Sequence, residues 1–97
     1  MNTKRTNRVV SEEVHISQAT LSKLRTGGRL PSIELLMRLI VFYDLDPMEA
    51  MRACVMGRAV FAAYIRVKVF NDPRPRDGDI VARVTSQDIV AGSSQLI

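Results

Sequence analysis

The stretch ISQATLSKLRTGG, residues 16–28, opens on a helix-capping hydroxyl, carries two leucines three apart and closes on two glycines. Ser17 can accept a hydrogen bond from a first-turn backbone N–H, so a helix can run from Gln18 to about Arg25. Gly27 can adopt the left-handed conformation that ends such a helix. Taking Leu21 as the inward direction, Leu24 and Ser17 lie within about 60° of it, whereas Ala19, Ser22 and Lys23 point away. Gln18 stands at the exposed N-terminal tip. Leucine on one side and small or hydrogen-bonding groups on the other suit a core-packing helix. They also suit a helix that lies in a groove of DNA, and the surrounding chain has to separate the two readings.

The 97 residues predict one small domain with an appendage, divided near residue 70 into segments 1–70 and 71–97. Composition is that of a globular protein, 46% hydrophobic and 25% charged, without tryptophan. The single cysteine, Cys54, can form no internal disulfide, which fits a reducing compartment. Met1–Arg8 is polar and basic with no apolar run behind it, and no stretch approaches the ~18 apolar residues that cross a bilayer. The expectation is a soluble protein of the cytoplasm, with no membrane partner. Net charge is +4, and residues 1–30 hold six Lys/Arg against two Glu. The excess positive charge therefore sits in the same third as the quoted helix, as on a phosphate-binding surface. A solvated basic terminus fits the charge alone equally well.

Outward from the quoted stretch, Thr6 can cap a helix from Asn7 to Val14 with Val10 and Val14 on one face. His15 interrupts it. Ser32 caps IELLMRLIVFY, apolar at Ile33, Leu36, Leu39, Ile40 and Tyr43, with Glu34 and Arg38 paired on the wet side. Asp46, Pro47 and Glu49 form a capping box with proline at the first helical position. From there one long helix to about Val69 is predicted, with Met48, Met51, Val55, Ala62, Ile65 and Val69 on a coiled-coil-like stripe, a core or a dimer seam. Gly57 can break or bend it. YIRVKVF also alternates like a strand that could pair with DIVARV (79–84); helix to about residue 66, followed by an irregular or short-strand tail, is the preferred reading.

Two short helices joined by a tight turn, the second ending in glycine, make a helix-turn-helix. Residues 10–51, VSEEVHISQATLSKLRTGGRLPSIELLMRLIVFYDLDPMEAM, resemble the lambda-repressor-like (Xre or Cro-type) helix-turn-helix family. Ile16–Ser17, ATLSKL, Gly27, the PS pair at 31–32 and the LDP restart fall in register with it. The resemblance implies an all-α, compact helical bundle. Two departures stand out. The family's usual first helix is missing ahead of Thr6, so its share of the core is expected from the 55–69 helix, through Val55, Ala62 and Ile65. His15 occupies a turn position usually held by glycine, and histidine tolerates positive φ better than most residues.

What the resemblance implies is a sequence-specific transcriptional repressor of double-stranded DNA, from a phage or mobile element. The alternative is an antitoxin that holds a partner protein and also binds DNA. In the family, residues after the serine cap enter the major groove, so geometry and resemblance select the same four. Gln18 can pair with adenine, Lys23 with guanine O6/N7, Ala19 can rest on a thymine methyl, and Ser22 can reach a base edge or phosphate. Lys4, Arg5, Asn7, Arg8, Ser17, Thr26 and Arg29 are the expected phosphate contacts. Such proteins commonly bind palindromes as dimers, and Phe61, Tyr64 and Phe70 are the expected self-association surface. His15, the only histidine, has no second ligand at metal-binding spacing. RDGDIVARV looks like a fragment of a self-cleaving repressor's peptidase domain, but no catalytic lysine follows Lys68. Neither an enzyme, a metal nor a cofactor is expected.

Overall fold

A computed structural model describes residues 4–94; Met1–Thr3 and Gln95–Ile97, the outer ends of the two expected segments, lie outside the described residues. Within them the chain is all helix and turn: α1 (Asn7–Val14), α2 (Gln18–Thr26), α3 (Ile33–Tyr43), α4 (Pro47–Met56), α5 (Arg58–Lys68) and α6 (Pro75–Ser94). Local chemistry sets the first four starts. Thr6, Ser17 and Ser32 each accept from a backbone N–H three residues on, at 3.1–3.2 Å, and Asp46 accepts from Met48 and Glu49. His15 ends α1 in the left-handed region (φ 56°, ψ 57°), and Gly27 ends α2 there (φ 87°).

The expected single helix over 47–69 is two. Gly57 sits at φ 127°, ψ 167°, a conformation that only glycine adopts without strain, and the helix axis breaks there. The break puts the two halves of the apolar stripe out of phase. Ala62, Ile65 and Val69 are buried, while Met48 and Met51 are exposed and Val55 is 86% exposed. Val55 therefore gives nothing to the core.

α5 packs against α2, α4 and α6 and supplies the centre of the core. Phe61, Tyr64 and Ile65 form its i, i+3, i+4 face, and Val69 and Phe70 follow as the chain turns away. The surface expected for self-association is corrected by this packing: Phe61, Tyr64 and Phe70 are 1%, 0% and 0% exposed. Tyr64 keeps its polar end satisfied by donating its hydroxyl to Glu49 at 3.3 Å.

The tail is also corrected. DIVARV lies in α6, with no strand among the described residues, because Asp77, Val81 and Val84 recur at helical spacing and are buried together. α6 lies on α5 and α4. Of the apolar positions assigned to α3, Leu36, Leu39 and Ile40 are buried with Leu35, but Ile33 is exposed, as are Met37, Val41 and Phe42.

Candidate nucleic-acid interface

α1 and α2 meet through Val10, Val14, Leu21 and Leu24, all buried. The turn between them is held by one local bond and by a side chain from α3. Ile16 N donates to Ser11 O at 3.1 Å, and Arg38 of α3 donates to the Val14 and His15 carbonyls at 3.4 Å. Arg38 is itself steadied by Glu34 at 2.8 Å, the predicted i, i+4 pair. Fixing these carbonyls fixes where α2 begins.

Gln18, Ala19, Ser22 and Lys23 are all exposed, on the face of α2 turned from Leu21 and Leu24. The structure thus brings the four sequence-selected positions onto one accessible surface. Arg29 is exposed in the following loop, and Arg8 is exposed in the first turn of α1, paired with Glu12 at 3.4 Å.

Other expected phosphate contacts are committed elsewhere. Ser17 donates its hydroxyl to Thr20 Oγ1 at 2.9 Å while capping α2, and Thr26 donates to Ser22 O at 2.9 Å. A phosphate needs a donor, and each of these hydroxyl protons already has an acceptor. Arg5 is half-buried. Its backbone N–H donates to Phe70 O at 2.7 Å, its guanidinium donates to Val69 O at 2.8 Å, and its charge lies 5.1 Å from the Tyr43 ring centre. It straps the N-terminal segment to the end of α5.

Four further residues, Arg25, Arg66, Asp72 and Asp77, form a polar seam under α2 that periodicity did not reveal. Arg25 donates to Asn7 Oδ1 at 3.1 Å and to Asp72 at 2.8 Å, with the Phe70 ring centre 4.4 Å away. Lys4 joins Asp72 at 3.3 Å. These cations, Lys4 first, hold the Asp72 carboxyl below its ordinary range. Arg66 donates to the Arg25 carbonyl and grips Asp77, whose carboxyl its hydrogen bonds pull down. The seam has no local sequence signature, since its partners come from α1, α2, α5 and the mixed-charge, proline-rich stretch NDPRPRDGD (71–79).

No group of three His, Cys, Asp or Glu able to hold a metal occurs among the described residues. Burial pushes the Cys54 thiol up to about 11, which disfavours its thiolate form. A groove of about 620 Å³ between α1 and α3 is lined chiefly by Val14, Met37, Val41 and Phe42.

Residues 4–49 match the model of a helix-turn-helix family. This segment is a lambda-repressor-like helix-turn-helix. The match spans α1 to the first turn of α4. Helix-turn-helix segments of this kind are carried by DNA-binding transcription regulators, and the match covers a little under half of the chain. No curated protein and no solved structure matches it. No described helix is long and apolar enough to cross a membrane.

Proposed function

We propose that the protein is a sequence-specific repressor that inserts α2 into the major groove of its operator and blocks the promoter it overlaps. The observation that carries this is the exposed Gln18–Ala19–Ser22–Lys23 face on a helix-turn-helix whose N-terminal third holds the chain's positive excess. Gln18 and Lys23 read adenine and guanine edges, Ala19 and Ser22 fill the space between them, and Lys4, Asn7, Arg8 and Arg29 hold phosphates. The setting is a phage or mobile element, and the site of action is the nucleoid. Selection of bound duplexes from random DNA is the test. Recovery of one enriched motif is expected; uniform recovery of all sequences would remove the sequence-specific reading.

The operator form we propose is a palindrome bound by a homodimer, with half-sites about one helical turn apart. Its dimer surface cannot be Phe61, Tyr64 and Phe70, which are buried, so it passes to the apolar face of α3, Ile33, Met37, Val41 and Phe42. The same face favours a second reading, an antitoxin that holds a toxin there. Co-purification with the product of an adjacent gene, in fixed stoichiometry, separates that from self-association.

A further inference from the structure

The seam beneath α2 reaches one of the phosphate-binding candidates directly. Asn7, the first residue of α1, is half-buried, and its carboxamide faces Arg25 from the last turn of α2. A guanidinium carries donors only, so the amide atom it meets at 3.1 Å must be the oxygen. The carboxamide is planar. With Oδ1 fixed toward Arg25, the NH2 group is turned the other way, and both its protons are donors. Without Arg25 the two ends of this amide are nearly equivalent in shape, and it could present its oxygen outward, toward an anion that repels it.

Arg25 is in turn held on two sides. Asp72 takes its Nη2 at 2.8 Å, and the Phe70 ring covers the guanidinium with its centre 4.4 Å away. Asp72 lies on the connector between α5 and α6, where its backbone N–H donates to Arg66 O at 2.7 Å. The chain of contacts therefore runs from the α5–α6 connector, through the end of the recognition helix, to the start of α1. Asn7 and Asp72 stand at opposite ends of it, joined by one side chain.

We propose that Arg25 and Asp72 are positioning residues that orient the Asn7 amide to donate to a DNA phosphate. This rests on the DNA-binding reading above. It makes the connector after α5 a determinant of affinity, although none of its residues need touch DNA. Because a phosphate contact carries no sequence information, the relay sets affinity for all duplexes equally.

A double-mutant cycle on the full chain tests it, with binding read by titration of a random-sequence 20-base-pair duplex and of the selected operator. Folding of each variant is checked by its circular dichroism melt. Asn7→Ala is expected to weaken both duplexes by roughly tenfold, the loss of one charge-assisted hydrogen bond. Arg25→Lys keeps the charge but not the fixed fork, and is expected to weaken them by roughly fivefold alone. In the Asn7→Ala background it should change little, because there is no amide left to orient. Losses that simply multiply would overturn the inference, since Arg25 would then act independently of Asn7. Asp72→Ala supplies a second, opposite-signed check. Weaker binding supports positioning, whereas tighter binding with a steeper salt dependence would mean that Asp72 merely withholds Lys4 and Arg25 from phosphate. If the unsubstituted protein binds neither duplex, the DNA-binding reading fails and the inference with it. If it binds both and the cycle is additive, the inference alone fails.

Discussion

Arg66 and Asp77 form a two-bond fork: Nε donates to Oδ2 at 2.7 Å and Nη2 donates to Oδ1 at 2.9 Å. The fork pins α6 to α5, and the remaining Arg66 nitrogen donates to the Arg25 carbonyl at the end of α2. Both side chains are largely buried, 14% and 7% exposed, so each partner depends on the other for its desolvated charge.

Removing one partner should therefore cost more than a surface pair would. Asp77→Ala is expected to destabilise the protein by about 3 kcal/mol in urea denaturation, because it leaves Arg66 buried without its carboxylate. The pH dependence has a definite sign. Arg66, through its hydrogen bonds, lowers the folded pKa of Asp77 below the unfolded value of about 3.9. The Asp77 contribution is thus fully present above that unfolded value and is lost as pH falls through the folded one. Between neutrality and pH ~5 it should not vary. A wild-type acid limb no steeper than that of Asp77→Asn would show that the pair is not coupled to folding.

Gly57→Ala meets no atom within 4 Å, yet φ 127° with ψ 167° is closed to a residue with a Cβ. A loss of about 1–3 kcal/mol is expected from backbone strain alone. An unchanged denaturation midpoint would mean that the α4–α5 junction can rearrange, most simply into the continuous helix suggested by the sequence.

His15→Gly should raise the melting temperature modestly. The left-handed conformation at φ 56° costs a residue with a Cβ roughly 1–2 kcal/mol, more than the roughly 0.4–1 kcal/mol by which glycine's greater unfolded-chain entropy opposes folding. A lower melting temperature would reveal an interaction of the imidazole that outweighs the strain.

On α2, Gln18→Ala and Lys23→Ala should each weaken operator binding by about 1–3 kcal/mol and leave random duplexes nearly unaffected. Arg29→Ala should weaken both and reduce the salt slope by about one unit. The comparison is made by titration at several salt concentrations. Equal losses on both kinds of duplex for all three variants would show that α2 does not read bases.

For the proposed dimer, Val41→Asp places a charge at a position 74% exposed in the monomer, so the fold should survive while self-association on the operator is lost. Phe61→Asp should unfold the domain instead, since it buries a charge at the centre of the core. Sedimentation with and without operator DNA reads both. Val41→Asp sedimenting as wild type on DNA would rule out the α3 face as the dimer surface.

What the sequence determined by itself was everything that depends on a few neighbouring residues. Thr6, Ser17, Ser32 and Asp46 cap their helices, His15 and Gly27 end theirs, and the outward face of α2 follows from the placement of Leu21 and Leu24. Such features rest on backbone hydrogen bonds within one turn and on the helical period, both readable over a short window. Tertiary structure decided the rest. Whether Phe61, Tyr64 and Phe70 face a partner or the core depends on what packs against α5, and an apolar side chain is legible as apolar wherever it lies. Gly57 was visible as a weak point, but only the packing of α5 on α2 and α6 fixed a full break over a bend. The pairing of Arg25 with Asp72, 47 positions apart, had no local signature, because a charge-assisted bond at that separation exists only after the helices between them have folded.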